Sequence, residues 1–211
     1  MKKKETILEK YKVFELTNGR APHSVFEFCQ ANKANEGDFY QHFSSLTQLR
    51  RAILENMMQE TIAVLDNDEA YAEYSAREKA LALFYTLIEV LKGNRSYLQY
   101  KYQDLHQVKS NYKDWEDFFR LFDARMEGIM LEAKQNEEVI ERPLIGKYYG
   151  SSFKLTFTYV FRVWLNDDSK QFERTDAAIE KSVNLAFELF SQGPLDSILD
   201  FGRFAVKTKI S

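Results

Sequence analysis

Apolar residues recur three and four places apart along almost the whole chain. Trp115, Phe118, Phe119, Phe122 and Met126 make one such stripe, and Ile179, Val183, Ala186, Phe187 and Phe190 make another. An α-helix turns once in 3.6 residues, so this spacing gathers side chains on one face. No period-2 alternation of the kind a half-buried strand needs is found. The residues that interrupt helices are scarce, with 3 Pro and 8 Gly among 211. The expectation is an all-α fold.

Helix length changes along the chain. Ile7, Tyr11 and Phe14 outline a first helix, stopped at Asn18-Gly19. Ser24-Val-Phe-Glu27 fits a capping box, in which the Ser oxygen takes one free backbone N–H and the Glu carboxylate another. A short helix then runs through Cys29 and Ala31. The stretch "NKAN" is a tight turn, and Asn35 can cap the next helix, with Phe39 and Phe43 on one face. Thr47 can cap a fourth helix whose inner side carries Leu49, Ile53 and Met57. Asp66 to Ser75 is polar and reads as a linker.

Longer helices follow. One carries Leu81, Phe84, Leu87, Ile88 and Leu91 and ends at Gly93-Asn94, and a shorter one suits Tyr97 to Leu105. After the Trp115 stripe, Pro143 can open a helix reaching about Leu165, and "NDDSK" breaks it. The last long stripe stops at Gly193-Pro194. In the tail, Leu195, Ile198, Leu199, Gly202 and Val206 fall on one side of a short amphipathic helix rich in Arg203, Lys207 and Lys209. No internal repeat is present.

Composition excludes several function classes. Apolar residues make up 45% and charged residues 29%, the balance of a soluble globular protein. Cys29 is the only cysteine, so neither an intramolecular disulfide nor a cysteine-based zinc site can form, and a reducing cytoplasm is the expectation. The opening "MKKKETILEKYK" lacks the apolar stretch of a signal peptide. The most apolar run, Phe153 to Leu165, is short and contains Lys154 and Arg162, so it is not a membrane span. His23, His42 and His106 have no metal spacing, and no nucleotide, dinucleotide or nucleophile-elbow motif occurs. Glu137-Glu138 and Asp167-Asp168 read as solvated helix ends rather than catalytic carboxylates. No enzyme, cofactor or metal is expected.

The stretches "ILEKYKVFELTNG" and "SVFEFCQANKANEGDFYQHFSSLTQL" resemble the TetR family of bacterial transcriptional regulators. The specific part is the Gly37-x-x-Tyr40-x-x-Phe43 frame followed by Ser45 and Leu49. The segment "FRVWLNDDSKQFERTDAAIEKSVNLAFELF" also looks like the family's last two helices. The resemblance implies a helix-turn-helix DNA-binding domain of three short helices over residues 1–57. It implies a helical ligand-binding and dimerisation domain over 58–211. A homodimer is expected through the helices holding Phe153 to Leu165 and Asp176 to Phe190, because Phe157, Val160, Phe161 and Trp164 exceed one narrow stripe. An apolar ligand is expected among helices carrying Phe84, Ile88, Tyr100, Phe122, Met126 and Phe153.

The recognition helix departs from the family pattern. Glu36 and Leu46 stand where the family usually has Lys, and Asp38 where it has Thr or Ser. Between His23 and Phe43, Lys33 is the only cation against Glu27, Glu36 and Asp38. Missing cations weaken the phosphate attraction that dominates DNA affinity. A carboxylate can read cytosine N4; it can also simply stabilise a helix N-terminus. Tyr40 matches the family tyrosine that commonly contacts phosphate. Lys33, Asn35, Gly37, Gln41 and His42 complete the expected DNA-facing set. Lys2-Lys3-Lys4 can serve as an arm, and Arg50 and Arg51 can flank the backbone.

Two readings follow. One is a cytoplasmic, dimeric, ligand-responsive DNA-binding regulator, favoured by the intact helix-turn-helix frame. The other is a TetR-fold protein that has left DNA and carries a lipid. The lipid-binding accessory protein of ubiquinone biosynthesis has this fold and an amphipathic C-terminal helix. The acidic recognition helix and the tail, a possible contact with a membrane surface or a partner, point that way.

Overall fold

The structure is a computed structural model that describes residues 2–103, 112–140, 142, 149–191, 193 and 201. Among the described residues there are nine α-helices and no strand. They are α1 (Lys2–Asn18), α2 (Val25–Ala31), α3 (Glu36–Tyr40), α4 (Leu46–Asp66), α5 (Ala76–Lys92), α6 (Arg95–Tyr102), α7 (Glu116–Gln135), α8 (Tyr149–Leu165) and α9 (Glu173–Phe190). Short 3-10 turns lie at Glu69–Glu73, Tyr112–Trp115 and Lys170–Phe172. The all-α expectation holds. The chain divides into two compact units, 1–64 with 87–122 and 65–86 with 123–211.

The first unit gathers α1 to α3, most of α4, α6 and the start of α7. Its small core is aromatic. Phe28 of α2 meets Tyr11, Phe14 and Phe39 with ring centroids 5.8, 6.4 and 6.0 Å apart, and Phe39 meets Phe43 at 5.8 Å. These tilted and edge-on pairs suit the ring quadrupole. Helix α1 has only a faint amphipathic pattern because it buries polar residues as well as Leu8, Tyr11 and Phe14. Lys12 and Glu15 are buried too. The Glu15 Oε1 accepts from Lys101 Nζ of α6 at 2.6 Å and from Tyr11 Oη at 3.1 Å. Arg50 of α4 grips buried Asp114 with its Nε at 3.0 and 3.1 Å from the two carboxylate oxygens. Burial raises the Asp114 carboxyl, against the pull of Arg50.

Several local expectations need correction. Helix α4 is capped by Ser45, not Thr47: the Ser45 Oγ accepts the Gln48 N–H at 3.1 Å, and the Gln48 side chain returns to the Ser44 N–H at 2.5 Å. The stretch Asp66 to Ser75 is no loose linker. Helix α4 continues to Asp66, and Asp68 then caps the next turn by accepting the Ala70 N–H at 3.0 Å. Tyr71 in that turn is buried, with the Arg125 guanidinium 5.0 Å from its ring centre. Trp115 belongs to the turn before α7 rather than to its helix.

In the second unit α8 lies along α9, joined by Phe153–Phe187 at 5.9 Å and a stacked Tyr149–Phe190 pair at 4.1 Å. Gln171 and Phe172 between them take left-handed φ angles of 53° and 64°, a conformation that side chains resist. Asp167 holds this break. Its two oxygens accept N–H and hydroxyl bonds from Ser169 and Thr175 at 2.6 to 2.9 Å. Burial alone would raise this carboxyl, but those four donors outweigh it and lower the pKa to about 2. Glu138 likewise accepts the N–H groups of Ala76 and Arg77 at 2.8 and 3.2 Å and so caps α5. Neither carboxylate is a solvated helix end.

Candidate nucleic-acid interface

The helix-turn-helix is built as its local chemistry dictates. Ser24 caps α2 by accepting the Glu27 N–H at 3.1 Å, and Glu27 reaches back one residue past the cap to accept the His23 N–H at 2.6 Å. Helix α2 turns Phe28 and Cys29 inward. The turn that follows passes through Lys33 at φ 49°. Asn35 then caps α3 by accepting the Gly37 N–H at 2.7 Å. The Asn35 side chain explains the glycine: a Cβ on Gly37 would come within 3.2 Å of the Asn35 Oδ1. Helix α3 is a mere five residues, held by Phe39, and Phe43 lies beyond its end.

This arrangement leaves a set of side chains facing outward. Lys33, Asn35, Gly37 and Gln41 are exposed, Tyr40 is 55% exposed, and Glu36 and His42 are half-buried. The expected set is therefore brought onto one short stretch. The Cys29 thiol is buried beneath it and raised by that burial, with Glu36 and Asp38 adding to the effect. It is poorly suited to act as a nucleophile.

Charges from outside the stretch change the count made along the sequence. Arg20 pairs with Glu27 at 2.5 Å, and that bond, with the His23 N–H, lowers the Glu27 carboxyl to about 2. Lys3, at the start of α1, reaches Asp38 at 3.5 Å. Two of the three carboxylates thus carry their own cations. Lys4 lies 6.0 Å from the centre of the Phe43 ring. The lysine run is the first turn of a helix and not a free arm. Arg50 and Arg51 are engaged within the protein, the first by Asp114 and the second by Glu116 and Asp117 at 2.9 and 2.7 Å.

The six expected ligand residues are placed in the interior. Phe84, Ile88, Phe122, Met126 and Phe153 are buried and Tyr100 is half-buried. Phe84, Met126 and Phe153 belong to the second unit, where the rings of Phe84 and Phe153 lie 6.4 Å apart; Ile88, Tyr100 and Phe122 belong to the first.

The four side chains expected at a dimer contact are not on the surface. Phe157, Val160, Phe161 and Trp164 are all buried within the protomer. The surplus apolar surface is elsewhere on the same two helices. Leu155 and Tyr159 of α8 are 76% and 54% exposed, and Leu185 of α9 is 55% exposed. Together with Thr156, Ser182 and Leu189 they line a groove of about 530 Å³.

Residues 79–205 match the family described as "Tetracyclin repressor-like, C-terminal domain". The chain belongs to the TetR family. The matched span is more than half of the TetR chain and lies outside the helix-turn-helix frame that carried the resemblance in the sequence. No curated protein matches the sequence. Among solved structures, a candidate tetR family transcription regulator from Shewanella sp. PV-4 superposes with a TM-score of 0.60 at 15% identity, over 90% of this chain and 99% of that one. At that identity the likeness is one of fold. Among the described residues, no helix is long and apolar enough to cross a membrane, and no three His, Cys, Asp or Glu side chains gather as a metal site. Apart from an exposed Phe201, the amphipathic tail, like His106 and Pro143, lies outside the described residues.

Proposed function

We propose that this TetR protein is a cytoplasmic, non-enzymatic transcriptional regulator that binds double-stranded DNA as a homodimer and responds to a small apolar ligand. The domain roles are those expected above: residues 1–57 read DNA, and residues 58–211 bind ligand and dimerise. The observation that carries the reading is the head itself. Tyr40, Gln41 and Lys33 project outward, while Glu27 and Asp38 are matched by Arg20 and Lys3. An acidic recognition helix is thereby less hostile to phosphate than its sequence suggests. Tyr40 then holds a phosphate, and Gln41 and His42 approach base edges. Glu36 accepts from a base or borders the groove. The ligand binds within residues 58–211 and acts by binding the two states of the protein unequally.

The homodimer reading is supported by the Leu155, Tyr159 and Leu185 surface. An isologous contact would cover this apolar face with its own copy. Leu185→Asp is expected to give a monomer by light scattering with its helical content unchanged.

The test of DNA binding is selection of bound sequences from a random duplex pool at low salt. A palindromic site should be enriched. Tyr40→Phe should weaken binding to all sequences alike, because a phosphate contact carries no base information. Gln41→Ala should relax preference at particular base pairs by roughly 1–3 kcal/mol. Glu36→Lys should raise non-specific affinity and steepen its salt dependence. If the dimer is intact and no palindrome is enriched, the lipid-carrier reading replaces this one.

A further inference from the structure

Among the described residues only two phenylalanines are exposed, Phe26 at 57% and Phe201 at 71%. Phe26 stands on α2, whose inward face is already supplied by Phe28 and Cys29. Four residues later on its outward side comes exposed Gln30, one helical turn away. These two side chains, with Lys33 and Ala34 of the turn, the cap Asn35 and Glu36 of α3, line a cleft of about 370 Å³ above buried Cys29. Its wall is thus one aromatic ring, and its rim holds an ammonium, two amides and a carboxylate. The Asn35 oxygen is engaged in capping α3, so its amide nitrogen is what it offers outward.

That mixture is the complement of a base-pair edge in the major groove rather than of a bare phosphate. A phosphate has no use for an exposed ring. The major groove presents one apolar group, the C5 methyl of thymine, and the side chains that meet it are apolar. We infer that Phe26 is a specificity-determining residue that packs on a thymine methyl, with Gln30 and Lys33 beside it on the neighbouring base edge or phosphate. The inference rests on the DNA-binding reading above and adds to it a contact from α2, outside the recognition helix.

The experiment uses the full chain and the sites enriched from the random pool. Each thymine in an enriched site is replaced singly by deoxyuridine, which removes the methyl and nothing else. At one thymine per half-site the replacement should lower affinity about fourfold, the burial of one methyl-sized group. In Phe26→Ala that sensitivity should vanish, while Phe26→Leu, which keeps an apolar surface, should retain part of it. Because Phe26 is exposed, both variants should melt with the parent protein. An enriched site at which no thymine is sensitive, or at which Phe26→Ala stays as sensitive as the parent, overturns the methyl contact alone. If no site is enriched, the DNA-binding reading fails and this inference fails with it.

Discussion

Glu15 and Asp167 are both buried carboxylates, at 0% and 4% exposure, one in each compact unit. Asp167 draws its donors from Ser169 and Thr175, two and eight residues away, and both of its oxygens are satisfied. Glu15 depends on Lys101, 86 residues away, with Tyr11 as its second donor, and its Oε2 has no hydrogen-bond partner among the described residues. The difference is one of purpose. A carboxylate served by its neighbours ends one helix and begins the next. A carboxylate served from a distant helix fixes where that helix lies, because a buried charge penalises every arrangement in which its counter-charge is missing. Helix α1 is held against α6 in this way, and the Arg50–Asp114 pair ties α4 to the turn before α7 by the same means.

The sharpest way to break the comparison is Lys101→Met. It leaves Glu15 buried beside tyrosines without its counter-ion, and stability should fall by about 3–5 kcal/mol in urea denaturation. Adding Glu15→Leu should recover most of the loss, since well-packed apolar residues commonly replace a buried pair without cost. A single Lys101→Met variant as stable as the parent would mean that the pair sets nothing.

Asp167→Asn should cost less, about 1–3 kcal/mol, because it disturbs a local net whose other members remain. It also carries a pH signature. The folded carboxyl lies at about 2, below its unfolded value of about 3.9. Its contribution is therefore complete above about pH 4 and is lost as pH falls toward 2. Acid titration of the melting temperature should show a shallower drop in Asp167→Asn than in the parent. Equal slopes would remove Asp167 as the source.

A cap with no charge gives a smaller effect still. Ser45→Ala removes the acceptor for the Gln48 N–H and should lower stability by about 1 kcal/mol in the same denaturation assay. Smallest of all should be Arg20→Ala, whose pair with Glu27 is open to solvent and screened by salt. Its unfolding midpoint should stay closest to the parent's, even though weaker DNA binding is expected from the unmatched Glu27 carboxylate.

Much of the head was legible in the sequence. Ser24 with Glu27, Asn35 with Gly37, and the stop at Asn18-Gly19 all act over two to four residues, so the chain states them directly. The helical stripes were equally plain, because periodicity is a property of the backbone screw. At the start of α4 the chain offered two neighbouring caps. Ser45 rather than Thr47 caps α4 because the last free N–H lies over the Ser45 oxygen.

The amino-acid order by itself determined the all-α class, the succession of short and long helices, and the capped helix-turn-helix frame, all through interactions within one helical turn. Tertiary structure decided which faces of those helices are covered. It buried Phe157, Val160, Phe161 and Trp164 inside the protomer and left Leu155, Tyr159 and Leu185 outside. It also placed Lys3 beside Asp38, 35 residues apart, and Lys101 beside Glu15. Periodicity says that a stripe exists but not what packs on it, and a charge carries no local sign of the partner that will neutralise it. Both are settled only when distant segments compete for the same buried space.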